Sequence, residues 1–536
     1  MCRVLRCLDS SAPEARGCPL RQPNCHRCPD RDEHTDFEID QRYGIVLSQV
    51  VCHADEPACT DGTTQVSDSN IGRVRQCGAV NRHMDIQWSV LIAITYSLIL
   101  LLYHLAVNHG CRYIGASNLF VIVQTFLFLG TLFAKVDVSE DTFHRWVILQ
   151  LVGIMGFTLG ALVSNAITHT NPKLAFRSFS ERDWLFDVHS ATYWALMLLG
   201  VLSAVVGIGF SIRFGQHALI RALLLRAQDP VGSARAYSAL RKSAVYGDTY
   251  LGYGYVMQFT DYLLPCFSYL LMLRANYRRC SLGGAVWFAF TCITVWCLTV
   301  TGRREPMIQY VLCLWLVVST RYGAGLGKLL QRRWRSLIAL IIPAVGLVFL
   351  LTNAVRYSTG ISLIVGVVQL WNRLGVILAS EKLRMMEFVF EQPIVWGQQW
   401  ADSLLTIASR SHTPGLSNQM HAMLYGSAMG NSPLEIWGSA WYNFGWIGTV
   451  IVPFIMGLFL QWITLCTLTG PKTPTRMVLL TMMGIGLARV SEPYLLLNNG
   501  VFALWLVLIG TRMTRRYDDM ALGVRSEGGS RCATTP

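Results

Sequence analysis

The first apolar run of the chain, QWSVLIAITYSLILLLYHLAV at 87–107, contains no Asp, Glu, Lys or Arg. About 20 such residues wound into a helix cross the roughly 30 Å of hydrocarbon in a bilayer. Strands are excluded because the runs are too long and show no alternation. The sequence therefore predicts an all-α, polytopic membrane helical bundle with about 11 transmembrane helices. The other ten predicted spans are 114–134, 146–167, 191–212, 251–273, 281–301, 306–320, 336–354, 440–465, 476–490 and 499–511.

The composition supports a membrane protein, because 52% of the 536 residues are hydrophobic and only 14% are charged. Soluble domains carry roughly 25% charged residues. The net charge of +13 could suit nucleic acid, but basic residues in membrane proteins mainly set the topology. We therefore expect no nucleic-acid partner.

Three short loops rich in Lys and Arg fall on one side of the predicted bundle, which is therefore assigned to the cytoplasm. They are 274–279, 321–335 and 512–516. The opposite side receives 135–145, 302–306, 355–439 and 491–499. The basic segment 213–250 also falls on that outer side. Either an upstream span is miscounted, or these basic groups bind something anionic there.

The two ends of the chain differ from the transmembrane domain, which we place at 84–516. Residues 1–83 are polar and contain eight cysteines, and CHRC at 25–28 could be half of a zinc site. No second pair follows at a suitable spacing, so a disordered leader or a mispredicted start is favoured. The tail 517–536 is polar and predicted to be disordered.

The long polar stretch 355–439 is predicted to be a large extracytoplasmic loop that covers the working surface. Long loops in compact folds are usually functional or disordered, and this one holds too many aromatic residues for disorder. Arg410 and His421 lie in it, and Glu435 opens the following span. Histidine titrates near neutral pH, which suits a general base, although a lone His is more often structural. Glu435 could equally serve the helix dipole.

The sequence TGRREP at 301–306 joins two predicted spans. Gly302 ends one helix and Pro306 suits the start of the next, so the turn should be tight and hold Arg303 and Arg304 at the surface. Arg356 lies at the next outer boundary. Arginine binds pyrophosphate well because its planar fork makes two parallel charged hydrogen bonds. The alternative is that these side chains extend toward lipid phosphates as anchors.

Three sequence patterns resemble Wzy-type O-antigen or oligosaccharide repeat-unit polymerases and, more loosely, O-antigen ligases. They are TGRREP, NAVRYS at 353–358, and HAMLYG…SPLEIW…YNFGWIG at 421–448, within a similarity covering about 280–460. The resemblance implies a bacterial inner-membrane glycosyltransferase with large periplasmic loops. Such an enzyme transfers an undecaprenyl-pyrophosphate-linked glycan onto a repeat unit without nucleotide sugar, metal or other cofactor. Membrane lipid, a chain-length regulator and a flippase are further partners that it implies.

By this resemblance Arg303 or Arg304 and Arg356 would contact the pyrophosphate, and His421 would match the loop histidine. Arg410 would bind substrate in the same loop. The family's Arg-x10-Gly pattern begins at Arg221 and at Arg241, but chance alone would produce a few such pairs. The catalytic candidates are His421, Arg356 and Glu435. The sequence offers Trp396, Trp400, Trp437 and Trp441 as residues that could stack on sugars or anchor the interface.

Two other functions remain open from the sequence. An O-antigen ligase-like transferase would pass finished chains to a lipid core. A flippase or transporter would carry lipid-linked oligosaccharide, and transporters place ionisable groups near the bilayer centre. Asp261 is the candidate for such a group. Most other charges cluster at the outer boundary, which favours surface chemistry.

Overall fold

The structure is a computed structural model that describes residues 86–510 with internal gaps. The described residues are helical, with turns between the helices, and contain no strand. The all-α prediction is confirmed for this part of the chain. The gaps are 112, 135, 137, 183–184, 186–189, 216, 227–228, 230–231, 234–235, 238, 241–255, 279–280, 304, 323–375, 410–415, 426–431, 433, 491, 493–494 and 499.

The helices follow one another with short connections over most of the described chain. The first nine are α1 Ile86–Leu102, α2 Ala116–Phe133, α3 Glu140–Thr168, α4 Pro172–Glu181, α5 Ser190–Phe214, α6 Ala218–Arg226, α7 Leu264–Arg278, α8 Ser281–Thr299 and α9 Glu305–Tyr322. The others are α10 Leu378–Glu391, α11 Gln398–Ser409, α12 Leu416–Tyr425, α13 Ile436–Thr469, α14 Pro474–Ala488, α15 Leu495–Asn498 and α16 Val501–Gly510. A π-helical turn, Tyr103–Val107, extends α1, and another, Gln258–Leu263, leads into α7.

Helices lie at ten of the eleven predicted spans, and the remaining span, 336–354, lies outside the described residues. Among the described helices, α1 with its π-helical turn, α2, α3, α5 and α13 are long and apolar enough to cross a membrane. The shorter apolar helices are α8, α9, α14 and α16. The described chain thus contains helices that could span a membrane, while the total of eleven spans stays a prediction. The leader 1–83 and the tail 517–536 also lie outside the described residues.

Helices α3 and α13 pack closely against each other, and glycines make that closeness possible. A Cβ atom added to Gly160 would lie 1.9 Å from the carbonyl oxygen of Phe454, and one on Gly457 would lie 2.0 Å from that of Phe157. Small residues let the backbones of membrane helices approach in this way, where lipid supplies no hydrophobic driving force between helices. Gly448 in α13 instead lies against its own helix, where an added Cβ would be 2.3 Å from the carbonyl oxygen of Ala440.

The glycine contact predicts a strong effect from one methyl group. We expect Gly160→Ala to destabilise the protein by about 2 kcal/mol or more, because α3 and α13 must separate to admit the new Cβ. Gly209→Ala is the matched control, since a Cβ there meets no atom within 4 Å. Alanine favours a helix over glycine, so the control should keep or slightly raise stability. Thermal unfolding in detergent micelles measures both, and equal transition temperatures would contradict the packing argument.

The helices present two ends, which we name by one residue each. At the Lys472 end, the Arg182 guanidinium donates to the carbonyl of Thr469 at 3.0 Å, and the Lys472 ammonium donates to the carbonyl of Arg182 at 3.1 Å. At the Arg303 end, the start of α9 contacts the residues after α14, and α11 contacts both α13 and those same residues. Segments predicted to lie outside the membrane therefore meet at the Arg303 end.

The basic segment after α5 also lies at the Arg303 end. The backbone amide of Ala218 donates to the carbonyl of Val300 at 3.0 Å, and the Tyr237 hydroxyl donates to the carbonyl of Gly302. These contacts agree with the span count that placed 213–250 and 302–306 on the same side of the bundle. Gly302 has a φ of +71°, as expected for the tight turn predicted between α8 and α9.

Helix α13 is interrupted at Gly445, where φ is +60° and ψ is −145°. The break frees carbonyl groups of the preceding turn, and the chain before α11 supplies their donors. The amide of Val395 donates to Tyr442 at 3.2 Å, and that of Gly397 donates to Asn443 at 3.0 Å. The predicted outer loop is therefore fastened to the first part of α13 by backbone hydrogen bonds.

Candidate functional site

Glu435 immediately precedes α13, as the sequence predicted, but its side chain does not cap the helix. The residue is only 8% exposed, and neither carboxylate oxygen has a hydrogen-bond partner among the described residues. Burial raises the pKa of Glu435 to about 7, and the nearby Lys382 charge partly opposes that rise. A buried acid whose pKa lies near neutral is a strong candidate for acid–base chemistry.

Lys382 supplies the positive charge near Glu435. It lies on the apolar face of α10, in register with the buried residues Ala379, Leu383 and Met386. Burial lowers the pKa of Lys382, while the charges of Glu435, Glu381 and Glu492 act in the opposite direction. A lysine is rarely this buried without carboxylates around it, so Lys382 and the two buried glutamates, Glu435 and Glu492, behave as one electrostatic unit.

Glu492 is the second buried carboxylate, and it follows α14. One of its oxygens accepts a hydrogen bond from the Gln399 side-chain amide at 2.8 Å, and the other has no partner among the described residues. Burial raises the pKa of Glu492, and the bond from Gln399 and the charge of Lys382 lower it. The side-chain carbonyl of Gln399 accepts a hydrogen bond from the side-chain amide of Asn443 at 3.0 Å. We call Lys382, Glu435 and Glu492 the acid–lysine cluster.

His421 lies on the short helix α12, which contacts α10 through Tyr425. The ring centroids of His421 and Tyr425 are 4.8 Å apart, and the Tyr425 hydroxyl donates to Glu381 at 2.5 Å. Glu381 directly precedes Lys382 in α10. His421 is thus connected to the cluster through Tyr425 and Glu381, and it is half-buried while Glu435 is buried.

A second group of charges surrounds Arg303. Its guanidinium donates to the Asp261 carboxylate at 3.5 Å and to the Glu305 carboxylate at 3.2 Å. The Arg489 guanidinium donates to the other oxygen of Glu305 and to the Gln309 side-chain carbonyl. We call Asp261, Arg303, Glu305 and Arg489 the arginine–carboxylate cluster. Arg489 precedes Glu492 by three residues, so one short segment connects the two clusters.

Asp261 was a candidate for an isolated charge at the bilayer centre. The structure instead pairs it with Arg303, beside the turn that begins α9. Its other oxygen accepts from the Thr260 hydroxyl at 2.9 Å. Asp261 therefore belongs to the Arg303 end of the bundle.

Four predicted substrate or catalytic residues, Arg241, Arg304, Arg356 and Arg410, lie outside the described residues. Arg221 is exposed on α6, which joins the Arg303 end through Ala218. Of the predicted residues that the structure describes, Glu435 belongs to the acid–lysine cluster and Arg303 to the arginine–carboxylate cluster, while His421 packs against Tyr425, whose hydroxyl bonds to Glu381.

The four candidate tryptophans have different environments. Trp437 is 1% exposed and donates to the Gln124 side chain at 2.9 Å, so the idea that it stacks on sugar is wrong. Trp400 donates to the Ser439 hydroxyl at 2.9 Å. Trp441 lies edge-on to its neighbour Trp446, and Trp396 is 69% exposed. Trp396 and Trp441 remain candidates for contact with sugar or with lipid.

The sequence interpretation missed Lys382, Glu492, Gln399 and Arg489. Lys382 left a readable signal, since helical spacing places it on the apolar face with Ala379 and Met386. Arg489 and Glu492 lie within RVSEP at 489–493, between two apolar runs, where charges commonly mark a helix end. The partners of these residues are remote in sequence, and their pairing could not be read from local patterns.

Comparison with models of known protein families, with characterised proteins and with solved structures finds no match for this chain. Within the described ranges, no three His, Cys, Asp or Glu side chains are grouped as they would be to hold a metal ion. The interpretation of the site therefore depends on its own chemistry. A buried acid that titrates near neutral pH, a buried amine and a neighbouring pair of guanidinium groups can move a proton and hold an anion.

Proposed function

We propose that this protein is an inner-membrane polysaccharide polymerase. It would transfer a glycan from an undecaprenyl-pyrophosphate-linked donor onto an acceptor repeat unit at the extracytoplasmic face. The observation that carries the proposal is the buried Glu435 carboxylate, without hydrogen-bond partners among the described residues and close to the Lys382 charge. An ionisable group held this way in a membrane bundle is costly, and such groups usually serve function.

In the proposed reaction Glu435 is the general base. Its carboxylate takes the proton from the acceptor hydroxyl, whose oxygen attacks the anomeric carbon of the donor sugar. The bond from that carbon to the pyrophosphate oxygen breaks, and the lipid pyrophosphate leaves with the bonding electrons. A base that titrates close to the working pH is the most effective one, which favours Glu435. His421 then lies at the edge of the site, where an acceptor sugar would enter.

The arginines supply the anion-binding part of the proposal. Negative charge grows on the pyrophosphate as the glycosyl bond breaks, and fixed guanidinium groups stabilise it. Arg303 is described at this end of the bundle, and Arg304 and Arg356 are predicted to join it. The pairing of Arg303 with Asp261 and Glu305 holds its guanidinium in a defined orientation.

A second function is favoured by the same buried charges. Proton-coupled transporters also keep paired acidic and basic residues inside a helical bundle. A flippase for lipid-linked oligosaccharide would use the acid–lysine cluster to couple proton movement to transport. The position of both clusters at the Arg303 end, where outer segments meet, favours chemistry on one side over passage through the middle.

Reconstitution distinguishes these functions. Purified protein in lipid vesicles, given an undecaprenyl-pyrophosphate-linked oligosaccharide, is expected to form chains of many repeat units and to release lipid pyrophosphate. No nucleotide sugar should be needed, because the bond to pyrophosphate drives the transfer. Gel separation of the labelled glycan measures chain length.

Three results would contradict a polymerase. Movement of the labelled unit between leaflets without chain growth would identify a flippase. Transfer only to an added lipid-core acceptor would identify a ligase. An unchanged donor, with protein that is folded and correctly inserted, would remove the assignment to glycosyl transfer.

A further inference from the structure

The Glu305 carboxylate bridges two guanidinium groups at the Arg303 end. One oxygen accepts from Arg303 at 3.2 Å, and the other accepts from Arg489. A phosphate group presents oxygens that can bridge two arginines in the same way, and arginine forks bind both kinds of anion. We propose that Arg303 and Arg489 form a binding site for a phosphate-bearing group, and that Glu305 occupies this site until the ligand displaces it.

The two arginines are held more firmly than the carboxylate between them. Arg303 is 21% exposed and also contacts Asp261, which is 5% exposed. Arg489 is 30% exposed and also contacts Gln309, which is buried. Glu305 is 54% exposed, so its side chain can turn into water at little cost. The arrangement is a fixed pair of donors with a removable acceptor.

Charge gives the ligand its advantage over Glu305. Two guanidinium groups face the carboxylates of Asp261 and Glu305, so these four side chains balance in charge while Glu305 is in place. Diphosphate groups carry more negative charge and more acceptor oxygens than one carboxylate, and can therefore bind the two arginines more strongly than Glu305 does. A singly charged anion gains little by the exchange. The device therefore selects for phosphate-bearing ligands.

This inference deepens the proposed function and depends on it only for the identity of the ligand, which would be the lipid pyrophosphate of the donor. It adds Arg489, which the sequence did not suggest, and gives Glu305 the role of an internal competitor. Displacement of Glu305 would also release one contact of Arg489, three residues before Glu492 of the acid–lysine cluster.

Binding of inorganic pyrophosphate tests the site directly. In titration calorimetry on the full chain in detergent micelles, Glu305→Gln is expected to bind pyrophosphate roughly tenfold more tightly than the natural protein. Arg489→Gln should bind at least roughly tenfold more weakly, and the double variant should bind as weakly as Arg489→Gln. The direction of the change in affinity for Glu305→Gln is the distinctive result, because replacing a carboxylate that only supports the structure would weaken pyrophosphate binding.

Glu140→Gln is the matched control. It removes the same charge from an exposed residue at the start of α3. The preceding residue, Ser139, donates its backbone amide to the Glu387 carboxylate on α10 at 3.0 Å. If Glu140→Gln tightens binding as much as Glu305→Gln, the effect is general electrostatics and the inference fails. It also fails if Glu305→Gln binds no more tightly than the natural protein, or if Arg489→Gln binds equally well.

A second titration, in lipid nanodiscs, distinguishes a lipid headgroup from a diphosphate as the ligand of this site. If nanodiscs that contain phosphatidylglycerol weaken pyrophosphate binding relative to nanodiscs of phosphatidylcholine alone, a lipid headgroup is an occupant of the proposed site. Absence of competition would assign the site to a diphosphate ligand. Tighter pyrophosphate binding by Glu305→Gln, together with no chain growth in vesicles, would keep this inference and reject the polymerase.

Discussion

Replacing Glu435 with glutamine is expected to slow chain elongation by a factor of roughly 10² to 10⁴, the usual contribution of a general base. The amide keeps the size of the side chain and cannot take the acceptor proton. Because neither carboxylate oxygen has a hydrogen-bond partner among the described residues, the substitution removes no hydrogen bond there. Donor binding should therefore persist while turnover is lost. The measurement is the rate of chain growth in vesicles, together with the affinity for the donor.

Glu391→Gln is the control for this substitution. It makes the same chemical change at the exposed C-terminal residue of α10 and should leave the elongation rate unchanged. A Glu435→Gln variant that elongates chains at the natural rate would remove Glu435 from the chemistry. The role of base would then pass to His421, the other candidate on the predicted loop.

The same variant has a signature in stability. The pKa of Glu435 rises from its ordinary 4.5 to about 7 on folding. Between these values the folded protein holds a proton that the unfolded chain releases, so stability falls as the pH rises through this window. Above about pH 7 the loss is complete and stability levels off. Glu435→Gln should flatten this part of the stability curve, which thermal unfolding at several pH values would reveal.

Much of the fold could be predicted because it depends on local sequence. Apolar runs without charge gave the helical bundle, and Gly302 gave the tight turn before α9. The predicted loop holds too many aromatic residues for disorder, and its described part forms α10, α11 and α12; Glu435 opens α13 as expected. In each case the deciding feature lies within one or two helical turns of the residue concerned.

The site could be predicted only in part, because burial and pairing come from the tertiary structure. Glu305 and Arg489 are 184 residues apart in sequence, and nothing local indicates that they meet. Trp437 looked like an interfacial residue but packs in the core, since the partner of its ring nitrogen is Gln124 on α2. The buried charge of Lys382 was readable from helical spacing, whereas its proximity to Glu435 was not.

Replacing Lys382 with methionine should shift the pH dependence of chain elongation upward by roughly one pH unit and lower the rate at pH 7 about fivefold. The Lys382 charge lowers the pKa of both Glu435 and Glu492, so its removal lets both pKa values rise. A base with a higher pKa is protonated in more of the molecules at neutral pH, and the rate should recover in alkaline buffer. Methionine fills a similar apolar volume on α10, which preserves packing.

Arg384→Met separates this local effect from a general change of charge. Arg384 lies on the same helix two residues away and is exposed to solvent, which screens its charge from the cluster. The pH profile of chain elongation by the Arg384→Met variant should match that of the natural protein. A Lys382→Met variant that is slower at every pH by the same factor would show that Lys382 supports the fold of α10 without tuning the carboxylates. A shift that appears in Lys382→Met and disappears in Lys382→Arg would assign the effect to the buried positive charge, because arginine restores the charge without restoring the amine.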